Sequence, residues 1–130
     1  MTLVQVAKGR YYSKSDGTKQ TYLFDVYDWG FSVKDLQVGA VVYGRSSVDA
    51  RFSVRILGGF SDDTNAWPTA GITAINNAVV DNGAPLPRTF SGPVTNYGNP
   101  YFRVALDVDA ATGSAEQYVE LELYAGGKAY

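Results

Sequence analysis

The stretch from Tyr101 to Tyr124 limits the fold of this chain more than any other, because it holds two strictly alternating runs separated by a short polar segment. In the first run Phe102, Val104, Leu106 and Val108 take one side, while Tyr101, Arg103, Ala105 and Asp107 take the other. In the second, Val119, Leu121 and Leu123 alternate with Tyr118, Glu120, Glu122 and Tyr124. A period of two sets one row of side chains against a core and the other toward solvent, so both runs read as half-buried strands. Asp109 to Glu116 (DAATGSAE) supplies turn formers between them. The expectation is an antiparallel pair with Phe102 opposite Leu123, Val104 opposite Leu121 and Leu106 opposite Val119. The same register sets Tyr101 against Tyr124 and Arg103 against Glu122.

Weaker alternation extends this reading along the chain. Leu3 to Tyr12 is a first strand at a sheet edge, and Ser13 to Gln20 (SKSDGTKQ), with its Asp16-Gly17 step, predicts a hairpin turn. Thr21 to Trp29 is a strand with aromatic bulk on both faces. Between Phe31 and Val38 the spacing of Val33, Leu36 and Gln37 fits a helical turn, in a segment too short to decide it. Gly39 to Tyr43 reads as a short buried strand and Ala50 to Phe60 as the longest middle strand, whose Gly58-Gly59 step marks a bulge or a close backbone approach. Residues 61–94 hold four of the five prolines and repeated Asp, Asn and Gly, which predicts a long irregular region. Within it Ile72, Ile75 and Val79 fit a helix while the Asn76-Asn77 pair suits two small strands about a turn, the reading preferred here. Arg88 to Val94 is a further short strand, and Ala125 to Tyr130, with Gly126-Gly127, is a tail expected to fray unless a partner orders it.

Seven or eight strands without a long helix predict an all-β fold, a two-layer antiparallel β-sandwich with jelly-roll connectivity among its options and a closed barrel as the alternative. The length of 130 residues suits one domain, residues 1–130, with a core that needs neither disulfide nor metal. A formal net charge of −2 argues against a sequence-blind nucleic-acid binder, since Arg51, Arg55 and Arg103 are spread among carboxylates. Cysteine is absent, so thiol chemistry and disulfides are excluded. MTLVQVAKGR lacks the basic and long apolar segments of a signal peptide, and no apolar run reaches the length of a membrane span. The expectation is synthesis in a cytoplasm and no membrane partner.

The absence of His as well as Cys removes Ser-His-Asp, Cys-His and ordinary zinc schemes. Glu120 and Glu122 share a strand face at a separation open to a glycosidase, but an exposed ionic face with Arg103 as partner accounts for them better. Asp107 with Asp109, and the run Ser61 to Thr64, are oxygen-rich but do not match a calcium loop, and turn formation explains them. No catalytic residue, cofactor or metal is expected. The positive signal is aromatic: Trp29, Trp67, Tyr97, Tyr101, Tyr118 and Tyr124 exceed what a modest core readily buries. Tyr101, Tyr118, Tyr124 and Trp67 are the candidate partner-binding residues.

RFSVRILGGFSDD (Arg51 to Asp63) and EQYVELELY (Glu116 to Tyr124), in a cysteine-free chain rich in Tyr and Gly, resemble small structural proteins of tailed-phage virions, the capsid decoration or cement proteins and minor coat proteins. The resemblance implies a non-enzymatic virion protein, made in the host cytoplasm, that self-associates as a homo-oligomer and clamps a major capsid protein. A carbohydrate-binding module using surface Tyr and Trp is the alternative, with a glycan as partner.

Overall fold

The computed structural model describes residues 2–79 and 85–129 and turns every alternating stretch into strand. The strands are β1 (Thr2–Tyr12), β2 (Gln20–Leu23), β3 (Tyr27–Asp28), β4 (Val33–Arg45), β5 (Ala50–Gly59), β6 (Ile72–Val79), β7 (Arg88–Val94), β8 (Tyr101–Ala110) and β9 (Tyr118–Ala129). A 3₁₀ turn, Thr64–Ala66, is capped by the Asp63 carboxylate, which accepts from the Asn65 N–H. Sheet I has the order β1-β9-β4-β7, and sheet II the order β2-β8-β5-β6 with β3 on the same partner strand as β2. Because β2 and β3 both pair with β8, they act as one interrupted strand.

The antiparallel partners are nested: β1 with β9, β2 and β3 with β8, β4 with β7, and β5 with β6. The chain is therefore one long hairpin, wrapped so that β9 also meets β4 and β8 also meets β5. This is jelly-roll connectivity, a two-sheet solution to burying strand faces. The two inner faces meet in a core where Phe52, Val54, Ile56, Phe102, Val104 and Leu106 of sheet II oppose Leu36, Val38, Val42, Leu121 and Leu123 of sheet I, all fully buried.

Several expectations are corrected. β8 and β9 are not sheet neighbours: Tyr101 pairs with Gly59 and Asp28, and Glu122 with Lys8 and Val41. Their apolar faces do meet, but across the core. Alternation identifies a buried face without saying whether the next strand lies beside it or opposite, and the connection of residues 111–117 is long enough to arch between layers. The 13–20 segment is likewise an arch from sheet I to sheet II rather than a hairpin, although its turn forms, with the Gly17 N–H donating to the Lys14 carbonyl at φ +83°.

The residues read as ambiguous belong to strands whose phase is broken. In β4 a bulge between Val33 and Asp35 brings Val33 and Leu36, three apart, onto the same buried face. In β6 irregular pairing against β5, with Asn77 at φ +47°, does the same for Ile75 and Ala78. Both bulges imitate helical spacing. At 13 residues β4, not β5, is the longest strand. The 125–129 segment is not a fraying tail but the end of β9, held between β1 and β4; Tyr130 and residues 80–84 lie outside the described residues.

Gly58-Gly59 is a close approach. A Cβ on Gly58 would fall on the Tyr97 hydroxyl, which donates to the Tyr101 carbonyl at 2.6 Å, and one on Gly59 would stand 2.6 Å from Trp67 Cδ1. Gly39, in contrast, has only the Phe90 carbonyl at 3.9 Å from such a carbon. Gly58→Ala is expected to lower stability by about 3 kcal/mol through overpacking, while Gly39→Ala is neutral or slightly stabilising through the unfolded chain, as read from urea midpoints.

Candidate functional site

The core leaves two outward faces and two ends to meet other molecules, and their chemistry differs. On sheet I, Lys8, Arg10 and Tyr12 of β1 stand opposite Glu122, Glu120 and Tyr118 of β9. Arg10 Nε donates to Glu120 at 2.6 Å, and its guanidinium lies 4.2 Å from the centre of the Tyr118 ring, which Tyr12 flanks at 5.6 Å. Tyr124 donates its hydroxyl to Glu122, with Lys8 at 3.7 Å on the same carboxylate. Hydrogen bonding, above all from Tyr124, holds the Glu122 carboxyl below the usual carboxylate range. Arg103, the partner expected for these glutamates, belongs to the other sheet; Arg10 and Lys8 take its place.

The outer face of sheet II is a groove. Its floor carries two ion pairs, Arg51 with Asp109 at 3.3 Å and Arg55 with Asp107 at 2.8 Å. Asp107 is only 6% exposed; it accepts from Arg55 Nε and Nη2 and from Thr21 Oγ1 at 2.6 Å, while Arg55 Nη1 donates to the Ala70 carbonyl. Burial pushes the Asp107 carboxyl up, but the bonds from Arg55 and Thr21 outweigh it and hold the group below its ordinary value. The loop after β5 folds over this face, seating Trp67 on Gly59 with Nε1 donating to the Ser61 carbonyl at 2.7 Å. Between that loop and β2 lies a depression of about 340 Å³ lined by Thr21, Leu23, Leu57, Pro68 and Arg103. A second depression, of about 280 Å³, is lined by Lys19, Ser53, Thr73, Asn76, Asn77 and Asp107, and the two meet at Arg55.

The ends of the sandwich also contrast. At one, the arches are fastened by polar bonds: Asp49 accepts from the N–H groups of Thr112 and Gly113, and the buried Gln117 accepts from Ser46 and Ser47. At the other, the β5 and β3 ladders on β8 run out into Phe60 and Trp29, the latter donating its main-chain N–H to the Pro100 carbonyl. Trp29 stacks on Phe102 at 5.5 Å and closes the core, but Phe31 and Phe60 stand 42% and 75% exposed.

The four candidate residues do not form one surface. Tyr118 and Tyr124 are half-buried on sheet I and Tyr101 half-buried on sheet II. The expected exposure of Trp67 is corrected: it is 6% exposed, sealed between its own loop and Gly59. Tyr97 is buried too, and desolvation pushes its phenol up to about 12. The exposed rings among the described residues are Phe60, Tyr43, Phe31 and Tyr12; Phe60 and Phe31 were passed over as strand ends, and the sign of Phe60 is a bulky ring set between Gly58-Gly59 and Asp62-Asp63.

No protein-family model and no curated protein sequence matches this chain. Solved structures match its fold. VP2 of infectious bursal disease virus, in a subviral particle, superposes with a TM-score of 0.59 at 12% identity, covering 95% of this chain and 31% of that one. The two have a fold in common. T=1 particles derived from the same virus give a TM-score of 0.57 at 15% identity over 95% of this chain and 30% of that chain. FLHE gives 0.53 at 6% identity, covering 99% of this chain and 97% of its own. At such identities the likeness is one of fold, and the chain spans about 31% of the length of the VP2 chain it matches.

Asp107 ionises more readily in the folded chain than in the unfolded one, so its contribution is present above about pH 4 and disappears as pH falls through the folded value. Asp107→Asn is expected to cost about 2 kcal/mol at neutral pH by leaving Arg55 without its partner. It should also flatten the acid-side fall in stability, leaving the slope due to Asp49 and Glu122, whose carboxyls are lowered as well. Urea midpoints of both proteins between neutral and acid pH measure this.

Proposed function

We propose that this chain is a non-enzymatic virion structural protein that associates with its own copies and binds a major capsid protein, as a decoration, cement or minor coat protein of the tailed-phage kind. The observation that carries the reading is the wrapped-hairpin order of the two sheets, a fold it has in common with VP2 in viral particles. A shell component acts through its surfaces, and the apolar end supplies one: Phe60, Phe31 and Val26 are all exposed. Covering them yields about 25 cal/mol per Å² of apolar area, against the entropy lost on association.

The rim of that end sets the geometry of contact. Asp25, Asp28, Asp62 and Asp63 flank the exposed apolar residues in sequence and are themselves exposed. Two such ends brought together across a two-fold axis would oppose like charges, so the self-contact is head-to-tail, the apolar end of one copy against a cation-bearing surface of the next. A ring then closes around a symmetry axis. The residues on sheet I are bound to one another in ion pairs and ring contacts, which supports a surface role for them over turnover of a substrate.

A sugar-binding module built on surface Tyr and Trp, the second reading, has less support: Trp67 is sealed and the Tyr118 ring is occupied by Arg10 and Tyr12, which leaves Tyr43, 47% exposed, as the most open ring of that kind among the described residues. Sedimentation velocity tests the leading reading. Wild type is expected to run as an oligomer and to join purified shells, and Phe60→Glu combined with Phe31→Glu to run as a monomer with stability changed by no more than about 0.5 kcal/mol. A wild-type chain that stays monomeric at every concentration and binds no capsid protein would falsify the proposal.

A further inference from the structure

The sheet II groove holds a cation whose charge has no carboxylate partner among the described residues. Arg103 Nε donates to the Phe24 carbonyl at 3.0 Å, but among the described residues no carboxylate pairs with its guanidinium and no bond occupies its two terminal nitrogens. Arg103 lines the depression together with Leu57, Pro68 and Leu23, the last 55% exposed. The neighbouring Arg55 differs, since each of its three nitrogens donates a bond, two to Asp107 and one to the Ala70 carbonyl. Across both depressions three cations, Lys19, Arg55 and Arg103, face two carboxylates, Asp107 and Asp109, although the chain as a whole carries −2.

The second half of the groove presents Ser53, Thr73, Asn76 and Asn77, groups that both donate and accept. Arg103 sits in the row of Leu57 and Asp107 in the row of Ser53, four residues along β5. At strand rise that is about 13 Å, room for about two or three pyranose rings. We propose that the outer face of sheet II binds an acidic saccharide, its carboxylate on Arg103 and its hydroxyls on Asn76, Asn77, Ser53 and Thr73. Leu23, Leu57 and Pro68 cover the C–H face of the ring that carries the acid. An acidic peptide suits the groove less, because the main-chain groups of its floor strands β5 and β8 are already paired within the sheet. The site needs no free aromatic ring and does not rest on assembly into a shell.

Tetragalacturonate titrated into the full chain, followed by calorimetry and amide chemical shifts, tests the assignment. The sugar acid is expected to bind and to move the amides of Leu57, Arg103 and Asn77. Its methyl ester, the same sugar without charge, should bind about tenfold more weakly or worse, and Arg103→Gln should lose a similar factor toward the acid, the worth of one charge-assisted hydrogen bond. Leu23→Glu, at an exposed wall position that leaves Arg103 and its bond to Phe24 in place, should abolish binding by repulsion. The proposal is overturned if tetragalacturonate does not bind, if acid and ester bind equally, if tetraglutamate binds as tightly as the sugar acid, or if both variants bind like wild type. Sedimentation of the same samples reports shell-type self-association separately, so either reading can fail without the other.

Discussion

Phe52, Val54 and Ile56 of β5, with Phe102, Val104 and Leu106 of β8, form one wall of a dry layer; Leu36, Val38 and Val42 of β4, with Leu121 and Leu123 of β9, form the other. Each of these larger side chains contributes roughly 1.5–3 kcal/mol by leaving water, against the entropy of ordering the chain. With no cysteine to cross-link the sheets, that layer has to keep them in register. The central strands of both sheets therefore carry the densest apolar alternation. The edge strands β1, β2, β6 and β7 are looser, with half-buried or exposed residues at many positions.

The wrapping that creates this layer also divides the surface into regions of different chemistry. Sheet I turns outward a ladder of Arg, Lys, Glu and Tyr whose members satisfy one another. Sheet II is partly roofed by the loop that carries Trp67, which makes a groove where an open face would otherwise lie. One end is tied by Asp49, Gln117 and neighbouring hydroxyls, while the other ends in exposed Phe60 and Phe31. A protein that joins a shell at one end and holds a ligand on a sheet face would need such separation, because each contact can form without disturbing the other.

Alternation in β8 and β9 revealed the faces turned to the core, although Ala105 and Asp107 of the outward row of β8 are buried as well, and Gly58-Gly59 announced the close packing that Tyr97 and Trp67 impose. Where a bulge interrupts a strand the same signal misleads. Val33 and Leu36 point the same way at a spacing of three because one residue is inserted between them and Asp35 restarts the ladder. Aromatic content misled for another reason. Tyr97 and Trp67 sit in polar, glycine-rich sequence that reads as exposed loop, yet those loops fold back and bury their rings against glycines made bare for them. The unpaired state of Arg103 was illegible, since an arginine two residues from one row of carboxylates in sequence can stand a full sheet away from another in space.

Sequence periodicity determined that this chain forms strands and which side of each strand is apolar, and it narrowed the fold to a two-layer sandwich or a closed barrel, because burial of alternating residues admits few other outcomes. Tertiary structure alone decided which strands are neighbours, since a strand's inner face is equally satisfied beside or opposite its partner and only the whole wrapped hairpin gives every strand a ladder partner at once. It also decided which rings and charges remain open to other molecules, because that depends on where the loops land and not on what they are made of.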